Sequence, residues 1–384
     1  MDIQSLTNDP EGIIEADRAH VWHHLSQHKP YANGVDPRII VEGKGMRVWD
    51  IKGKEHLDAV SGGVWTVNIG YGRKRMGDAI SDAVTKMCFF GGSMGTIPGA
   101  TFAEMLIDKM PGLDRVYYAN SGSEANEKAF KMVRQISHKH HGGKKHKILF
   151  RDRDYHGTTI ATLSAGGQEE RNAQYGPFTP GFVAVPHCLE YRSQDGTTGA
   201  AYAAASIKAI EDVILREGAD TIGSLCLEPI TAGGGIIVAP DGYWEGVQEL
   251  CKKYEILLHI DEVVCGVGRT GTWFGYQQFG VQPDIVTMAK GVASGYAAIS
   301  CCVTTNAVFD QFQDDTDKLS FFRDISTFGG CTAGPAAAIE NMKIIEEEDL
   351  RGNSVRSGEH LKNNLNALME KHKWVGDVRG MGLF

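Results

Sequence analysis

Three short segments of the chain hold groups that could do chemistry together. Tyr117-Tyr118-Ala119-Asn120-Ser121-Gly122-Ser123-Glu124-Ala125 runs from a strand-like stretch into a Ser/Gly turn that opens a helix. Unpaired N–H groups at a helix start, hydroxyls and the positive end of the helix dipole make a phosphate cup, with Ser121, Gly122 and Ser123 as its residues. The same letters also read as an ordinary N-cap with a capping-box glutamate. Ile256-Leu257-Leu258-His259-Ile260 ends in Asp261-Glu262, and Asp284-Ile285-Val286-Thr287-Met288-Ala289 ends in Lys290-Gly291. In an open α/β sheet, ligands bind outside the carboxyl ends of the strands, so an acid and a lysine at two such ends can face one ligand.

Alone, a strand-end Asp is a cap or turn former and a Lys a solvated charge. A carboxylate, an amine and a phosphate cup together match the needs of pyridoxal 5'-phosphate: a lysine Schiff base, an acid on the pyridinium nitrogen and a phosphate anchor. Asp261 then keeps the ring nitrogen protonated, so that the ring draws electrons from the carbon next to the amine. Lys290, displaced by an amino substrate, moves the proton between substrate and cofactor carbons. That is transamination chemistry. Tyr155-His156-Gly157 offers an aromatic or imidazole face to stack on the ring, and Val263 could press on the other face; for both, plain packing is the bland alternative.

Rival motifs are weaker. The string Leu257 to Glu262 imitates the magnesium-binding strand of a P-loop ATPase, but Gly43-Lys44, Gly53-Lys54 and Gly143-Lys144 all lack a following Ser or Thr. Gly266-Val267-Gly268-Arg269-Thr270-Gly271 matches a dinucleotide fingerprint on paper, yet it follows an acidic strand end and precedes no apolar helix. The histidine groups His20, His23, His24 and His138, His140, His141, His146 lack H-E-x-x-H spacing, and the second sits at a Lys-rich helix end. Both read as solvated faces, with no metal.

The elements that must position these groups follow from periodicity. Strands are expected at 115–119, 147–150, 182–185, 222–227, 256–260, 285–288 and 299–303, with helices at 123–138, 201–216 and 243–254. Short apolar runs alternating with helical stretches specify an α/β fold, a mostly parallel doubly wound sheet covered on both faces. The first sixty residues have a different texture, with turn signals at Asn33-Gly34, Gly43 and Gly53 and a hairpin-like run over 46–50. After Gly334-Pro335 two helices are expected, to about Ile345 and from Arg351 to about His372, followed by a strand over 374–378.

Composition sets the outer bounds. At roughly 100 to 200 residues per domain, 384 residues allow two domains, and 42% hydrophobic with 23% charged residues describes a globular chain. Lys+Arg 39 against Asp+Glu 48 leaves a net charge of −9, which gives no basic footprint for nucleic acid or an anionic membrane. No apolar run is long enough to span a bilayer, and the first ten residues lack a basic and apolar leader. Eight scattered cysteines with no C-x-x-C suit a reducing cytoplasm.

Taken in order, several motifs resemble the class III aminotransferases, pyridoxal-phosphate enzymes of fold type I. They are Ser61-Gly62-Gly63-Val64-Trp65-Thr66-Val67-Asn68-Ile69-Gly70-Tyr71-Gly72, Asn120 to Ala125, Tyr155-His156-Gly157, Leu227-Glu228-Pro229, Asp261-Glu262-Val263 with Gly268-Arg269-Thr270-Gly271, Ala289-Lys290-Gly291, and Ser326-Thr327-Phe328-Gly329-Gly330. The resemblance runs from about Trp22 to the last residue. It implies that Gly122 and Ser123 hold the phosphate, Tyr155 stacks on the ring, Asp261 pairs with the ring nitrogen, Val263 packs on the ring face and Lys290 carries the cofactor. It further implies that Thr327 reaches the phosphate of the neighbouring subunit in a homodimer, that Glu228 supports the site near Asp261, and that Trp65 lines the substrate pocket.

Val264-Cys265 after Asp-Glu-Val, where relatives that use 2-oxoglutarate often carry Gln, resembles the branch that transfers ω-amino groups to pyruvate. The expected donor is taurine, giving sulfoacetaldehyde and L-alanine; β-alanine, 4-aminobutyrate or a diamine, or aminomutase or decarboxylase chemistry on the same cofactor, are the alternatives, with a nicotinamide-dependent oxidoreductase below them. The resemblance also implies a division into residues 1–64, the N-terminal part of a small domain; 65–330, the large cofactor-binding domain; and 331–384, a C-terminal part of the small domain that family chains continue further.

Overall fold

Asp9 caps α1 (Pro10–His20), its carboxylate accepting the Gly12 N–H at 2.9 Å, and Pro10 sits in the first turn, where its missing N–H costs nothing. The computed structural model describes residues 9–91, 93–314 and 318–384, so most of the first ten residues, where no leader is expected, lie outside the described residues. The chain divides into two compact units, Met1–Lys74 and Arg75–Phe384. In the first, β1 (Ile40–Lys44), β2 (Arg47–Asp50) and β3 (Glu55–Leu57) form an antiparallel sheet in the order β1-β2-β3. The run expected to be hairpin-like over 46–50 is its middle strand.

The helix α2 (Lys74–Lys86) leads into the second unit, where α3 (Ile97–Asp108) precedes β4 (Arg115–Ala119) and α4 (Gly122–His141). Then come β5 (Lys147–Arg151), β6 (Phe182–Val185), α5 (Gly199–Glu217), β7 (Ile222–Leu227), the small pair β8 (Ile230–Thr231) and β9 (Ile237–Val238), and α6 (Tyr243–Tyr254). The unit continues with β10 (Leu257–Asp261), β11 (Ile285–Met288), β12 (Ser300–Thr304), α7 (Ala333–Glu347) and α8 (Leu350–Lys371).

Seven of these strands make one sheet in the order β4-β12-β11-β10-β7-β5-β6. Only β12 runs against its neighbours, pairing antiparallel with β11 and β4. Every residue of β7, β11 and β12 is buried, the continuous apolar run expected of strands covered on both faces. A core of Ala129, Phe130 and Val133 from α4 packs on Ile148, Cys226, Ile285 and Cys302. Because β4, β5, β7, β10 and β11 point the same way, their carboxyl ends share one edge.

One expected element is absent. Residues 374–378 form no strand: the segment leaves α8 through a turn, and Trp374 is 87% exposed. Its apolar letters suit a strand, but a strand needs a partner's unpaired N–H and C=O groups, and here the chain is held by other means. Arg379 donates to the carbonyls of Gly235 and Ile236, and the Leu383 N–H to that of Arg269. Among the described residues no helix is long and apolar enough to cross a membrane.

Candidate active site

Five strand ends bring the site together, beginning with the helix start after β4. Ser121 has extended backbone and its Oγ accepts the Glu124 N–H at 3.2 Å, while the Glu124 carboxylate turns back to the Asn120 N–H at 2.9 Å. The N-cap is therefore realised, but the glutamate reaches the residue before the cap rather than the N–H of Ser121, so the capping box is not closed. The cap uses the Glu124 N–H and leaves those of Gly122 and Ser123 without an intrahelical partner at the positive end of a 20-residue helix. Cap and cup coexist.

Both flanks of this turn depend on glycine. A Cβ on Gly122 would lie 2.9 Å from Val263 Cγ2, and one on Gly157 would lie 2.4 Å from Ser123 Oγ. The loop after β5 thus closes onto the helix start, where Ser123 Oγ also accepts the Thr158 N–H at 3.1 Å. Gly157 has a φ of +139°, which side chains rarely adopt.

At the end of β10, Asp261 is 2% exposed. Its Oδ2 accepts from His156 Nδ1 and Asn126 Nδ2, both at 2.8 Å, and its Oδ1 from the Val263 N–H at 3.0 Å. Burial alone would raise its pKa; the hydrogen bonds from His156, Val263 and Asn126 outweigh it and hold the carboxyl below the usual range. Next door the balance reverses. Glu262 accepts the N–H groups of Gly275 and Tyr276, but burial pushes it up to about 8.

Glu228, just past β7, takes the Tyr155 N–H at 2.8 Å and the Ala232 N–H at 3.0 Å. Burial and the neighbouring carboxylates Asp154 and Asp261 raise it well above the ordinary value. Beneath it, the fully buried Arg151 donates to Asp154 Oδ1 at 3.1 Å and to the Glu228 carbonyl at 2.6 Å. Tyr155 is half-buried with the Arg171 guanidinium 4.7 Å from its ring centroid, so one face is covered by a cation.

Lys290 opens the turn after β11 with a φ of +45°, a left-handed conformation that costs a non-glycine residue about 1–3 kcal/mol. Burial lowers its pKa, against the opposing pull of Asp261 and Glu228. The edge of the sheet therefore holds an ionised carboxylate, an amine of reduced basicity, a helix-start cup and an aromatic face. Such a set can hold a phosphorylated, nitrogen-bearing ring and move a proton beside it.

The model of the aminotransferase class-III family matches residues 30–384. The chain belongs to the class III aminotransferases. It is 68% identical over 378 residues to the hypotaurine/taurine--pyruvate aminotransferase of Paracoccus denitrificans, covering 98% of this chain and 82% of the relative. It is 59% identical over 380 residues to the taurine--pyruvate aminotransferase of Bilophila wadsworthia, covering 99% and 82%. Among solved structures, it superposes on the ω-transaminase of Pseudomonas jessenii in complex with PMP with a TM-score of 0.92 at 33% identity, covering 96% and 82%.

The cofactor of this class III aminotransferase is pyridoxal 5'-phosphate, and its fold is that of the fold type I transferases. The residues present fit that cofactor. Asp261 is a buried carboxylate held ionised, the state that pairs with a ring N–H, and His156 Nε2 is a buried polar atom with no protein partner. Glycines at 122 and 157 keep backbone N–H groups close to the cup. Thr327 stands exposed at the start of a short Thr327–Gly330 turn, and its neighbour Ser326 reaches Glu124 Oε2 at 3.3 Å. Trp65 belongs to the first unit, ending the Ser61–Trp65 turn with a φ of +58°.

Sequence reasoning missed Asn126, Asp154, Arg151 and Arg171 of this aminotransferase. Asn126 lies one helical turn past Ser123 and reads as one more polar helix position; only its complete burial reveals it. The dinucleotide-like run Gly266 to Gly271 forms successive turns and leads into a five-residue 3₁₀ turn, Gly275–Phe279, so no long helix starts there.

Proposed function

We propose that this class III aminotransferase moves the amino group of taurine to pyruvate, giving sulfoacetaldehyde and L-alanine. The observation that carries the donor is identity of 59–68% over nearly the whole chain to relatives named for taurine and pyruvate. When bound, pyridoxal phosphate supplies an electron-accepting ring that acidifies the carbon bearing the amino group.

The chain's own residues divide the work as follows. Gly122 and Ser123, flanked by Ser121, hold the phosphate at the helix start. Asp261, kept ionised by His156 and Asn126, holds the proton of the ring nitrogen. Tyr155 and Val263 orient the ring from its two faces, with Glu228 fixing the Tyr155 backbone. Lys290 anchors the cofactor and, with its basicity lowered by burial, takes and returns the proton at the substrate carbon. Trp65 lines the donor pocket.

The proposal extends to a cytoplasmic homodimer in which Thr327 reaches the partner's phosphate, and to a division of the chain into residues 1–64 and 331–384, which contribute to a small domain, and 65–330, the cofactor-binding domain. Support for the dimer comes from exposed apolar side chains beside Thr327: Ile325 and Phe328 are 64–65% exposed, and Phe90, whose N–H bonds to the Gly330 carbonyl, is 48% exposed. Support for a reducing compartment comes from eight cysteines that all stay unpaired.

A donor panel of taurine, hypotaurine, β-alanine and 4-aminobutyrate with pyruvate, read as alanine formed, tests the reading. Taurine or hypotaurine should lead; alanine from β-alanine alone would overturn the donor. Carbon dioxide measured in parallel separates decarboxylation. Borohydride should lock the cofactor onto Lys290, and a cofactor-free Lys290 peptide would refute the site.

A further inference from the structure

Behind Asp261 runs a line of buried polar side chains that ends in the sheet core. His259 precedes Asp261 by two residues on β10, so both side chains leave the same face, and Asp261 is in register with Thr287 on β11. His259 Nε2 lies 3.1 Å from Thr287 Oγ1, which donates to Asn126 Oδ1 at 2.7 Å. Asn126 Nδ2 donates to Asp261 Oδ2 and to the His156 carbonyl, both at 2.8 Å. His259, Thr287 and Asn126 are fully buried, at 0% exposure.

The direction of every bond in this line is determined. The Asn126 amide faces a carbonyl and a carboxylate, both acceptors, so its NH2 must point that way and its oxygen toward Thr287. Thr287 has one hydroxyl proton, and that oxygen claims it. The hydroxyl can then only accept from His259, whose Nε2 must carry the hydrogen. Burial holds His259 down at about 3, so the imidazole is neutral and its single N–H is committed to this bond. Its Nδ1 has no hydrogen-bond partner, and the ring meets Phe130 edge-to-face at 5.8 Å.

We propose that His259 is a positioning residue of the transamination site, acting through Thr287 and Asn126 to hold the Asp261 carboxylate ionised and oriented. The inference rests on the reading that Asp261 pairs with the cofactor's ring nitrogen. Reversal of any bond in the line would turn the Asn126 oxygen against a carboxylate or leave it without its donor. His259 therefore sets the far end of a one-way chain of donors, and its role is to keep the Asn126 NH2 on Asp261.

The test compares wild type, Thr287→Ser, Thr287→Val, His259→Phe and Asp261→Asn. Two quantities are read for each: the dissociation constant for pyridoxal phosphate added to the apoenzyme, and the pH midpoint of the holoenzyme's visible band. Thr287→Val and His259→Phe should each weaken cofactor binding about tenfold, or about 1.4 kcal/mol, and displace the midpoint in the same direction as Asp261→Asn. Thr287→Ser, which keeps the hydroxyl, should stay within about twofold of wild type. Equal affinity and midpoint for Thr287→Val and Thr287→Ser, or wild-type values of both for His259→Phe, would overturn the proposal. If Thr287→Val does not fold, His259→Phe decides by the same two readouts. Wild-type behaviour of Asp261→Asn would instead refute the Asp261 reading itself.

Discussion

Val263 Cγ2 stands 2.9 Å from the position a Cβ on Gly122 would occupy. The loop that follows the strand-end acid thus presses on the first residue of the helix-start cup, and the cup keeps its shape because residue 122 has no side chain. In Gly122→Ala the methyl must displace Val263 or the helix start; overpacking of this kind costs about 1–3 kcal/mol. Cofactor affinity should fall about tenfold or more, and Val263→Ala combined with Gly122→Ala should recover much of the loss. Equilibrium titration of the apoenzymes with pyridoxal phosphate measures both.

Glu262 makes stability depend on pH. Its folded pKa of about 8 lies above the ordinary 4.5, so below 4.5 both states hold the proton and the stabilising contribution is complete. As pH rises through this window the unfolded chain releases the proton and the folded chain keeps it, so stability falls by about 1.4 kcal/mol per pH unit. Above about 8 the loss is complete. Glu262→Gln does not titrate, and the variant should gain on wild type between pH 5 and 8 in urea unfolding. A pH-independent difference between them would refute this.

Arg151 and Asp154 form a fully buried pair under Glu228, with Asp154 also taking the Thr231 hydroxyl and the Glu228 N–H. Arg151→Met leaves that carboxylate without its cation and should cost about 3–5 kcal/mol. The double variant Arg151→Met with Asp154→Asn should be less destabilised than Arg151→Met alone. Denaturant midpoints of the three proteins decide.

Glu228 ties the Tyr155 loop to the end of β7 through two backbone N–H groups. Glu228→Ala leaves both donors buried without a protein acceptor, a loss of about 1–3 kcal/mol for each unsatisfied group. Glu228→Gln, which retains an acceptor oxygen, should lose less. Melting temperatures order the two variants, and cofactor affinity should follow the same order.

Arg171 covers one face of the Tyr155 ring. Arg171→Ala should weaken cofactor binding by about 0.5–1 kcal/mol, the worth of a partly exposed cation–π contact. Tyr155→Phe keeps the ring and should change affinity less than Tyr155→Ala. An Arg171→Ala enzyme with unchanged affinity would show that the guanidinium does not brace the ring.

The chain's order of residues already contains the groups at the strand ends. Asp261, Lys290 and the Ser121-Gly122-Ser123 turn are legible because strand length and helix starts depend on neighbours a few positions apart, and the branched runs of β7, β11 and β12 announce a sheet buried on both faces. Pairing was less legible. The reversed direction of β12 and the absence of a strand over 374–378 depend on which edges lie nearby, and no local periodicity encodes that.

Ionisation lay wholly in the tertiary structure. Asp261, Glu262 and Glu228 are three carboxyls of similar intrinsic acidity, all at most 2% exposed, yet the first is held low and the other two are pushed up. The difference comes from donors brought in across the fold: Asn126 lies 135 positions from Asp261 and His156 lies 105. Carboxylate letters in a sequence name the chemistry available, while the balance of desolvation against converging hydrogen bonds decides which of them carries the charge.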